Sequence, residues 1–285
     1  MRWAVSIENG VLYVVATPIG NRGDITERAK EVLNAVSLIA AEDTRHSRPL
    51  LKSLGISTRL VAMHEHNERE MLEKLTRMLQ QGDTLALISD AGTPLISDPG
   101  FPLVRTCHQL GIRVSPLPGP SAAIAALSAA GLPTDRFRFE GFSARTSSAR
   151  KGVFETLKDE PLTLIFYESS HRIQASLADM AALFGEGRQC VLARELTKLH
   201  ETIIQCTLGE LCRLLENDPD QRKGEFVILI AGATQDDELL SPEALRILKL
   251  LVDELPVKKA AALTARITGE KKNRLYQQAL ILRGE

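Results

Sequence analysis

Three polar segments, each at the end of an apolar run, hold the side chains that are best suited to chemistry. The first follows Leu85–Ile88 and reads Ser89-Asp90-Ala91-Gly92-Thr93-Pro94. An apolar run that ends in Ser, Asp, Gly and Pro is typical of a buried strand that delivers a loop to the carboxyl edge of a sheet. Ligands of open α/β folds bind at that edge. The alternative is an ordinary turn in which Asp90 only caps a helix.

The second segment is Glu42-Asp43-Thr44-Arg45-His46, which follows an apolar run that ends at Ala41. Glu42, Asp43 or His46 could accept a proton, and the planar guanidinium of Arg45 is suited to a phosphate. The alternative is that Asp43 or Thr44 caps the next helix. We favour the functional interpretation because so many polar groups follow one strand.

The third segment, Tyr167-Glu168-Ser169-Ser170-His171-Arg172, has the same order of apolar strand, acid, hydroxyls, histidine and arginine. A further predicted strand ends in Arg194-Glu195-Leu196-Thr197-Lys198. Taken with the Asp90 loop, these edges predict one cleft between two α/β lobes. Each histidine alone is more often a solvated surface residue than a catalyst.

The sequence lacks the motifs that are typical of several other kinds of binding site and catalysis. The loop from Thr17 to Asp24 has neither the G-x-G-x-x-G spacing nor the Walker lysine, which argues against NAD and nucleoside triphosphates. No G-x-S-x-G elbow and no metal-ligand spacing occurs, so we expect no metal. The four cysteines have no C-x-x-C spacing and are expected to be reduced.

The elements that must position these segments alternate between strand and helix from Val11 onward, which predicts an α/β fold of two lobes with a cleft between them. Asp24 and Glu27 resemble a capping box that opens the first helix. Three prolines in Pro116-Leu117-Pro118-Gly119-Pro120 predict a rigid connection rather than a regular element. We therefore expect an N-terminal α/β lobe over 1–117 and a second α/β lobe, with a mixed sheet, over 118–233.

A small all-helical C-terminal domain is expected over 241–285, after an acidic linker at 235–240. Thr268-Gly269-Glu270 resembles the turn of a helix-turn-helix. The segment from Pro256 to Glu285 contains seven lysines and arginines and two glutamates, which gives it a net charge of +5. The whole chain has a net charge of −1, so the remaining residues have a net charge of −6. Contact with nucleic acid is therefore expected to be concentrated in this tail.

The length of 285 residues and the hydrophobic fraction of 44% are sufficient for large cores. No apolar stretch approaches the roughly 20 residues of a membrane helix, and Arg2-Trp3 is not followed by a signal-peptide core. We expect a cytoplasmic protein with no membrane contact.

The motifs, taken in order, closely resemble the ribosomal RNA small subunit methyltransferase I family, which belongs to the tetrapyrrole-methylase fold group. The resemblance runs from about Val11 to Ala231 and continues through the basic tail. It is carried by Thr17-Pro18-Ile19-Gly20-Asn21, Ala40-Ala41-Glu42-Asp43-Thr44-Arg45-His46, Ser89-Asp90-Ala91-Gly92-Thr93-Pro94, Pro118-Gly119-Pro120-Ser121-Ala122, Phe166-Tyr167-Glu168-Ser169 and Ala193-Arg194-Glu195-Leu196-Thr197-Lys198.

The resemblance implies a homodimer that transfers a methyl group from S-adenosylmethionine to the ribose 2′-hydroxyl of a cytidine in the decoding region of 16S rRNA. It places the cofactor in the cleft, with contacts from Pro18, Gly20, Asp90, Ala91, Gly92, Thr93, Pro94, Ser121, Ala122 and Tyr167. Corrinoid-modifying relatives have a more glycine-rich first loop, and this departure favours the RNA branch.

A ribose hydroxyl is a poor nucleophile until its proton can leave, so we expect Glu42 or Asp43 to act as the base. The substrate would be 16S rRNA or the small ribosomal subunit, with sequence selected by shape around a flipped nucleotide. The polar loop from Phe142 to Lys151 could fold over a phosphate backbone. The predicted RNA contacts are Arg45, His46, Arg145, Arg150, Lys151, Arg194, Lys198, Lys258, Lys259, Lys271, Lys272 and Arg274.

Two other functions fit parts of the sequence. A methyltransferase of the same fold that acts on a tetrapyrrole or corrinoid would share the cleft but would leave the basic tail unexplained. A transcriptional regulator would combine an α/β sensor body with a helix-turn-helix tail that binds duplex DNA.

Overall fold

The first half of the chain forms a parallel sheet because its strands are apolar on both faces and alternate with helices that cover them. The computed structural model describes residues 7–64, 67–233 and 240–283. The sheet has the order β3-β2-β4-β1-β5 and every pairing is parallel. Its strands are β1 (Val11–Val15), β2 (Leu38–Ala41), β3 (Leu60–Ala62), β4 (Leu85–Ile88) and β5 (Arg113–Leu117).

Alternate residues of each strand pack against helices on opposite faces of this sheet. On one face, Val15 and Ile88 pack with Leu33 of the first helix, and on the other, Leu12 and Leu87 belong to a second core. The helices of this region are α1 (Glu27–Ala35), α2 (Thr44–Ser53), α3 (Glu68–Gln80) and α4 (Phe101–Gln109).

The order of the strands decides which loops meet. Strand β4 lies between β2 and β1, and all three run in the same direction. The residues that follow Ala41, Ile88 and Val15 therefore emerge side by side at one edge of the sheet. Two of the three polar segments that the sequence singles out are brought together in this way.

The second half forms a mixed sheet of order β6-β7-β10-β8-β9, as predicted, in which only β6 and β7 are parallel. Its strands are β6 (Phe137–Phe142), β7 (Thr163–Ser169), β8 (Gln189–Arg194), β9 (Thr202–Thr207) and β10 (Glu225–Ile230). Its helices are α5 (Ala122–Ala129), α6 (Ser147–Leu157), α7 (Ile173–Phe184) and α8 (Leu208–Asn217). One face packs on α6, α7 and α8, and the other packs on α5.

Both sheets belong to one compact unit that ends at Gly232, so the predicted boundary between 117 and 118 stays a prediction. A second unit begins at Ala233 and contains α9 (Pro242–Glu254), α10 (Val257–Thr268) and α11 (Lys272–Arg283). These helices share a core of small and branched residues that includes Leu248, Ala260 and Leu275. The expected acidic linker at 235–240 lies, except for Leu240, outside the described residues.

Two local predictions are wrong. The first helix begins at Glu27 because the side chain of Thr26 accepts a hydrogen bond from the backbone N–H of Ala29, whereas Asp24 ends a short 3-10 helix. Pro116 and Leu117 belong to β5 rather than to a connection. Proline is tolerated there because β5 is an edge strand of its sheet.

Within the described ranges, no helix is long and apolar enough to cross a membrane. The same residues contain no group of three His, Cys, Asp or Glu side chains that could hold a metal ion.

Candidate active site

The loops after β1 and β4 are joined by backbone hydrogen bonds. The N–H of Thr17 donates to the carbonyl of Gly92 at 2.9 Å, and the N–H of Gly92 donates back to Thr17 at 3.0 Å. The buried hydroxyl of Thr17 also donates to the carbonyl of Ser89 at 3.2 Å. Gly92 has a φ of +82°, a conformation that glycine adopts without strain. These contacts fix the Asp90 loop against the rest of the sheet edge.

Asp90 connects this loop to the segment that follows β2. One carboxylate oxygen accepts from the backbone N–H of Asp43 at 3.1 Å, and the other lies 3.1 Å from Nδ1 of His46. Asp90 therefore has a positioning role that links two neighbouring strand ends. The capping alternative, in which Asp90 caps a neighbouring helix, agrees with its contact to the N–H of Asp43 before α2 but does not account for the contact with His46.

Asp43 is the N-cap of α2 and is bound to Arg45. Its Oδ1 accepts from the backbone N–H of Arg45 at 2.8 Å, and its Oδ2 accepts from Nη2 of Arg45 at 2.7 Å. These hydrogen bonds lower the pKa of Asp43 to about 2. A carboxylate that holds a proton so weakly is a poor base near neutral pH. The contacts of Asp43 agree with the capping alternative, and its role as a proton acceptor stays a prediction that the low pKa disfavours.

Asp98 is an acid that the sequence reasoning did not select, and it lines the same cleft as Asp90. Burial raises the pKa of Asp98 to about 6, with a hydrogen bond from Ser89 opposing the shift and the charge of Asp90 adding to it. The preceding residues Leu95 and Ser97 have φ values of 74° and 68°, which is uncommon for residues with a side chain. Strained backbone of this kind concentrates at functional sites.

Aromatic rings around Tyr167 form part of the cleft wall on the side of the second sheet. The ring of Tyr167 meets Phe139 and Phe142 edge-on, with centroid distances of 4.9 Å and 5.5 Å. The Tyr167 hydroxyl accepts from the backbone N–H of Ala123 at 3.2 Å, near the start of α5. These contacts fix the ring of Tyr167 at the cleft.

Glu168 also lines the cleft, but its carboxylate is fully paired. It accepts from Nη2 of Arg172 at 3.0 Å, from the hydroxyl of Ser176 at 2.5 Å and from the backbone N–H of Ser169 at 2.9 Å. Its side chain is 0% exposed, so these partners offset the cost of burying the charge. Glu168 and Arg172 therefore stabilise the end of β7.

The first loop approaches the segment after β8 so closely that only glycine fits at position 20. A Cβ added to Gly20 would lie 2.9 Å from the carbonyl oxygen of Leu196 and 2.5 Å from Cγ of Lys198. The backbone N–H of Asn21 donates to the hydroxyl of Thr197 at 3.0 Å. Gly20 thus joins the two sheets rather than lining the cleft.

Together these elements enclose a cavity of about 520 Å³, a size typical of small-molecule sites. Five acidic residues line it, and no lysine or arginine lines it within the part of the chain that the structure describes. Ile19, Leu196 and Val227 supply apolar wall. The five acids are Glu42, Asp90, Asp98, Glu168 and Glu225.

The cavity contains most of the predicted cofactor residues. The predicted residues that line it are Glu42, Asp90, Ala91, Gly92, Thr93, Ser121, Ala122 and Tyr167. Pro18, Gly20 and Pro94 do not line it, and Pro18 and Pro94 are buried beneath the two loops. The wall from Gly224 to Val227 was missed because antiparallel pairing, which the sequence does not reveal, brings the start of β10 beside Ser169.

Several residues that are predicted to contact RNA form hydrogen bonds with other parts of the protein. Arg150 is buried, donates to Asp179 at 2.7 Å and 2.9 Å, and donates to the carbonyls of Ala144 and Arg145. Arg150 therefore stabilises the protein interior, and its contact with RNA stays a prediction that its burial disfavours. Arg194 donates to the carbonyls of Lys223, His200 and Asp220, which likewise makes it a loop anchor.

The other predicted RNA contacts differ in exposure. Lys198 lies between Glu195 and Glu225 at 2.8 Å and 2.9 Å, and Arg45 pairs with Asp43. His46 faces Asp90, and Lys151 lies 3.4 Å from Asp179. In the helical unit Arg274 is half-buried and pairs with Glu270 at 3.3 Å. The remaining exposed candidates are Arg145, Lys258, Lys259, Lys271 and Lys272.

Comparison with known proteins matches both units of the chain. Residues 11–212 match the family described as Tetrapyrrole (Corrin/Porphyrin) Methylases, and residues 238–283 match the RsmI C-terminal HTH domain. The chain is 57% identical over 275 residues to the ribosomal RNA small subunit methyltransferase I of Escherichia coli O157:H7, covering 96% of each chain. The chain belongs to the ribosomal RNA small subunit methyltransferase I family.

A second member of the family, from Pseudomonas aeruginosa PAO1, is 57% identical over 278 residues, 97% of this chain and 99% of its own. Among solved structures, a cobalt precorrin-4 methyltransferase superposes with a TM-score of 0.56 at 16% identity, over 78% of this chain and 95% of its own. At that identity the likeness shows the fold. The enzyme is thus an S-adenosylmethionine-dependent methyltransferase with the tetrapyrrole-methylase fold.

The residues of the cavity fit the cofactor of such an enzyme. S-adenosylmethionine carries positive charge on its sulfonium and its ammonium group, and the lining acid Asp90 complements that charge. Gly92 lets the loop backbone approach a ligand closely because no side chain stands in the way. The apolar wall formed by Ile19, Leu196 and Val227 suits an adenine ring.

Proposed function

We propose that the enzyme methylates the 2′-hydroxyl of a cytidine ribose in the decoding region of 16S rRNA. The observation that carries this proposal is the identity of 57% over 96% of the chain to a protein named for ribosomal RNA small subunit methylation. The match includes the helical C-terminal region, which a tetrapyrrole methyltransferase would not need for its substrate.

The charge of the cavity supports a nucleoside rather than a tetrapyrrole as the methyl acceptor. A corrinoid or porphyrin carries several carboxylates, and the lining acids would repel them. A ribose is neutral, so it can enter while its phosphates stay outside the cavity. Among the described residues that line the cavity no cation would hold a phosphate inside it.

The acceptor hydroxyl needs a group that takes its proton. When bound, S-adenosylmethionine would supply a methyl group that its sulfonium has already activated for transfer to the hydroxyl oxygen. We assign Asp98 as the proton acceptor because it lines the cavity and its pKa of about 6 balances availability against basicity near neutral pH. Glu42 lines the same cavity and is the alternative base.

The loops that surround the cavity bind and orient the two reactants. Gly92 and Thr93 on one side and Ala122 and Tyr167 on the other would hold the cofactor. The hydroxyl of Thr93 donates to the carbonyl of Pro120 at 2.9 Å, which connects the two sides. This hydrogen bond holds both loops in place before ligands bind. The enzyme can therefore align the acceptor oxygen at a low cost in conformational entropy.

We also propose that the enzyme acts in the cytoplasm as a homodimer on 16S rRNA or the small ribosomal subunit. Support for a dimer comes from apolar side chains at an edge of the second sheet. Leu199 is 92% exposed before β9, and Ile203 within that edge strand is 39% exposed. Apolar side chains that are exposed at a sheet edge are suited to contact with a second copy of the chain.

The test is the transfer of radiolabelled methyl from S-adenosylmethionine to small ribosomal subunits that lack the modification, followed by mapping of the label. Label on the ribose of one cytidine in the decoding region supports the proposal. Label on a base or on the large subunit, or transfer to a corrinoid and not to RNA, contradicts it. Heat-denatured enzyme and fully modified subunits are the controls.

A further inference from the structure

Helix α2 has a positively charged face that begins beside the cleft. Arg45, Arg48 and Lys52 are spaced by three and four residues, so they lie on one side of the helix. All three are exposed, and α2 contains no acidic residue. The sequence reasoning singled out Arg45 and His46 in this helix but neither Arg48 nor Lys52, because those two lie outside the polar segment at the end of β2.

The charged face leads to a second concavity, distinct from the cleft. A cavity of about 670 Å³ lies between the end of α2 and the start of β3, lined by Arg48, Lys52 and Arg59 together with Ser57 and Thr58. Arg59 and Ser57 are exposed as well. No carboxylate lines this cavity within the described ranges.

The three cations of this cavity have no carboxylate partner. Over residues 7–64, 67–233 and 240–283, no ion pair includes Arg48, Lys52 or Arg59. Most basic groups near the cleft differ in this respect: Arg45, Arg172 and Lys198 each pair with an acid. Lys52 gains from the negative end of the helix dipole, but this does not apply to Arg48 or Arg59. Like charges grouped around one concavity repel each other until an anion enters.

The position of this cavity relates it to the reaction. Helix α2 starts directly after Asp43, whose N–H bonds Asp90 in the cleft, and its ten residues extend about 15 Å. At about 3.4 Å per nucleotide along a strand, that length corresponds to about four nucleotides. Because the cleft lining offers no lysine or arginine within the described residues, the phosphates that flank the reacting ribose need cations elsewhere.

We propose that Arg48, Lys52 and Arg59 bind the phosphate backbone of the rRNA strand that flanks the methylated nucleotide. The inference rests on the proposed function. Guanidinium groups bind phosphates with paired hydrogen bonds, and lysine adds a point charge. An acidic protein segment would also be attracted to the three cations, but the continuity of the charged face with the cleft favours the strand that enters it.

The test compares R48Q/K52Q/R59Q with wild type in two measurements. The first is the binding of a naked 16S rRNA fragment that spans the decoding region, over a series of salt concentrations. Loss of three phosphate contacts should reduce the slope of log affinity against log salt by about 2 and weaken binding at least tenfold at low salt. The second is methyl transfer to small subunits, where KM should rise while kcat and the affinity for S-adenosylmethionine stay within about twofold.

Two control variants separate charge from other effects. R69Q/K74Q/R77Q removes three exposed cations of α3, which also contains Glu68, Glu70 and Glu73, and should leave the salt slope unchanged. R48K/R59K keeps the charges, so it should keep the slope even if affinity falls several-fold. An equal loss of slope in the α3 variant would show an unspecific charge effect and overturn the inference.

The remaining outcomes are also decisive. A wild-type slope and KM in R48Q/K52Q/R59Q overturns the inference, as does a loss of kcat with unchanged RNA binding. Weaker binding to assembled subunits with unchanged binding to the naked fragment indicates a protein partner, which also overturns it. If wild-type enzyme methylates no ribosomal substrate, the proposed function fails, and the binding of the RNA fragment still decides whether the three cations contact phosphates.

Discussion

The Asp90 carboxylate lies 3.1 Å from Nδ1 of His46, and this contact joins the loops that follow two neighbouring parallel strands. The same carboxylate receives the backbone N–H of Asp43. One acid therefore fixes both the loop that lines the cavity and the first turn of the helix that carries the basic face. The chemistry of the cavity and the placement of α2 depend on the same side chain.

Replacement of Asp98 by asparagine should reduce kcat by at least about 100-fold, because the amide cannot accept the proton of the ribose hydroxyl. In the wild type, burial raises the pKa of Asp98 to about 6, and the carboxylate is the active form. The rate should therefore be half-maximal near pH 6 and level off above about pH 7. Single-turnover methyl transfer between pH 5 and 8 measures both effects.

The competing base is Glu42, and E42Q is the matched variant. We expect E42Q to keep the inflection near pH 6, because Asp98 is unchanged. If D98N retains the rate and the pH profile while E42Q loses both, Glu42 is the base. Both variants must bind S-adenosylmethionine as wild type does for this comparison to be valid.

D98N should also stabilise the folded protein above pH 6. A raised carboxyl pKa means that folding is favoured by protonation, so the wild type loses stability as pH rises from about 3.8 to about 6. The amide has no charge to bury. Since Asp98 is partly exposed, solvent screening limits the gain to about 1 kcal/mol. Denaturant unfolding at pH 4 and pH 7 should show the difference between D98N and wild type only at the higher pH.

Asp43 should matter for stability and not for proton transfer. D43A removes the N-cap of α2 and should lower the free energy of unfolding, whereas D43N keeps an oxygen that can accept from Arg45 and should lower it less. In D43N, kcat at saturating substrate should stay within about threefold of wild type. A loss of 100-fold or more in D43N, with normal folding, would restore Asp43 as a candidate base.

Arg150 should act on folding rather than on RNA. Its side chain is 4% exposed and that of Asp179 is 9% exposed, so R150A removes the main partner of a buried carboxylate. It should cost about 3 kcal/mol, because Ser147 and Lys151 remain beside Asp179. The neighbouring R145A, at an exposed position, should change stability by less than about 0.5 kcal/mol. Denaturant unfolding of both variants provides the measurement. A stable R150A with weakened RNA binding would contradict this assignment.

Much of the fold follows from local patterns in the sequence. The apolar runs at Leu85–Ile88 and Leu38–Ala41 were recognised because strands buried on both faces are continuously apolar. Helix α3 (Glu68–Gln80) follows such a pattern as well, since its buried residues Met71, Leu75 and Leu79 are spaced by four residues. The capping residues were less predictable, since Asp24 and Thr26 both suit an N-cap and only the backbone path decides between them.

The parts of the site that the sequence did not reveal depend on pairing and burial. The start of β10 lines the cavity because it runs antiparallel to β7, and no local pattern encodes that register. Asp98 lies four residues after Pro94, and the sequence alone did not mark it as functional because its raised pKa results from burial. Arg150 resembled a surface cation because its partner Asp179 lies 29 residues away on another helix.

The central claim is tested most directly by methyl transfer to small ribosomal subunits from cells that lack this enzyme, with wild type and D98N assayed in parallel and the labelled nucleotide mapped. We predict label on the 2′-oxygen of one decoding-region cytidine with wild type, and at least about 100-fold slower transfer with D98N that still binds S-adenosylmethionine. Transfer to another position, or an unchanged rate with D98N, would contradict the account.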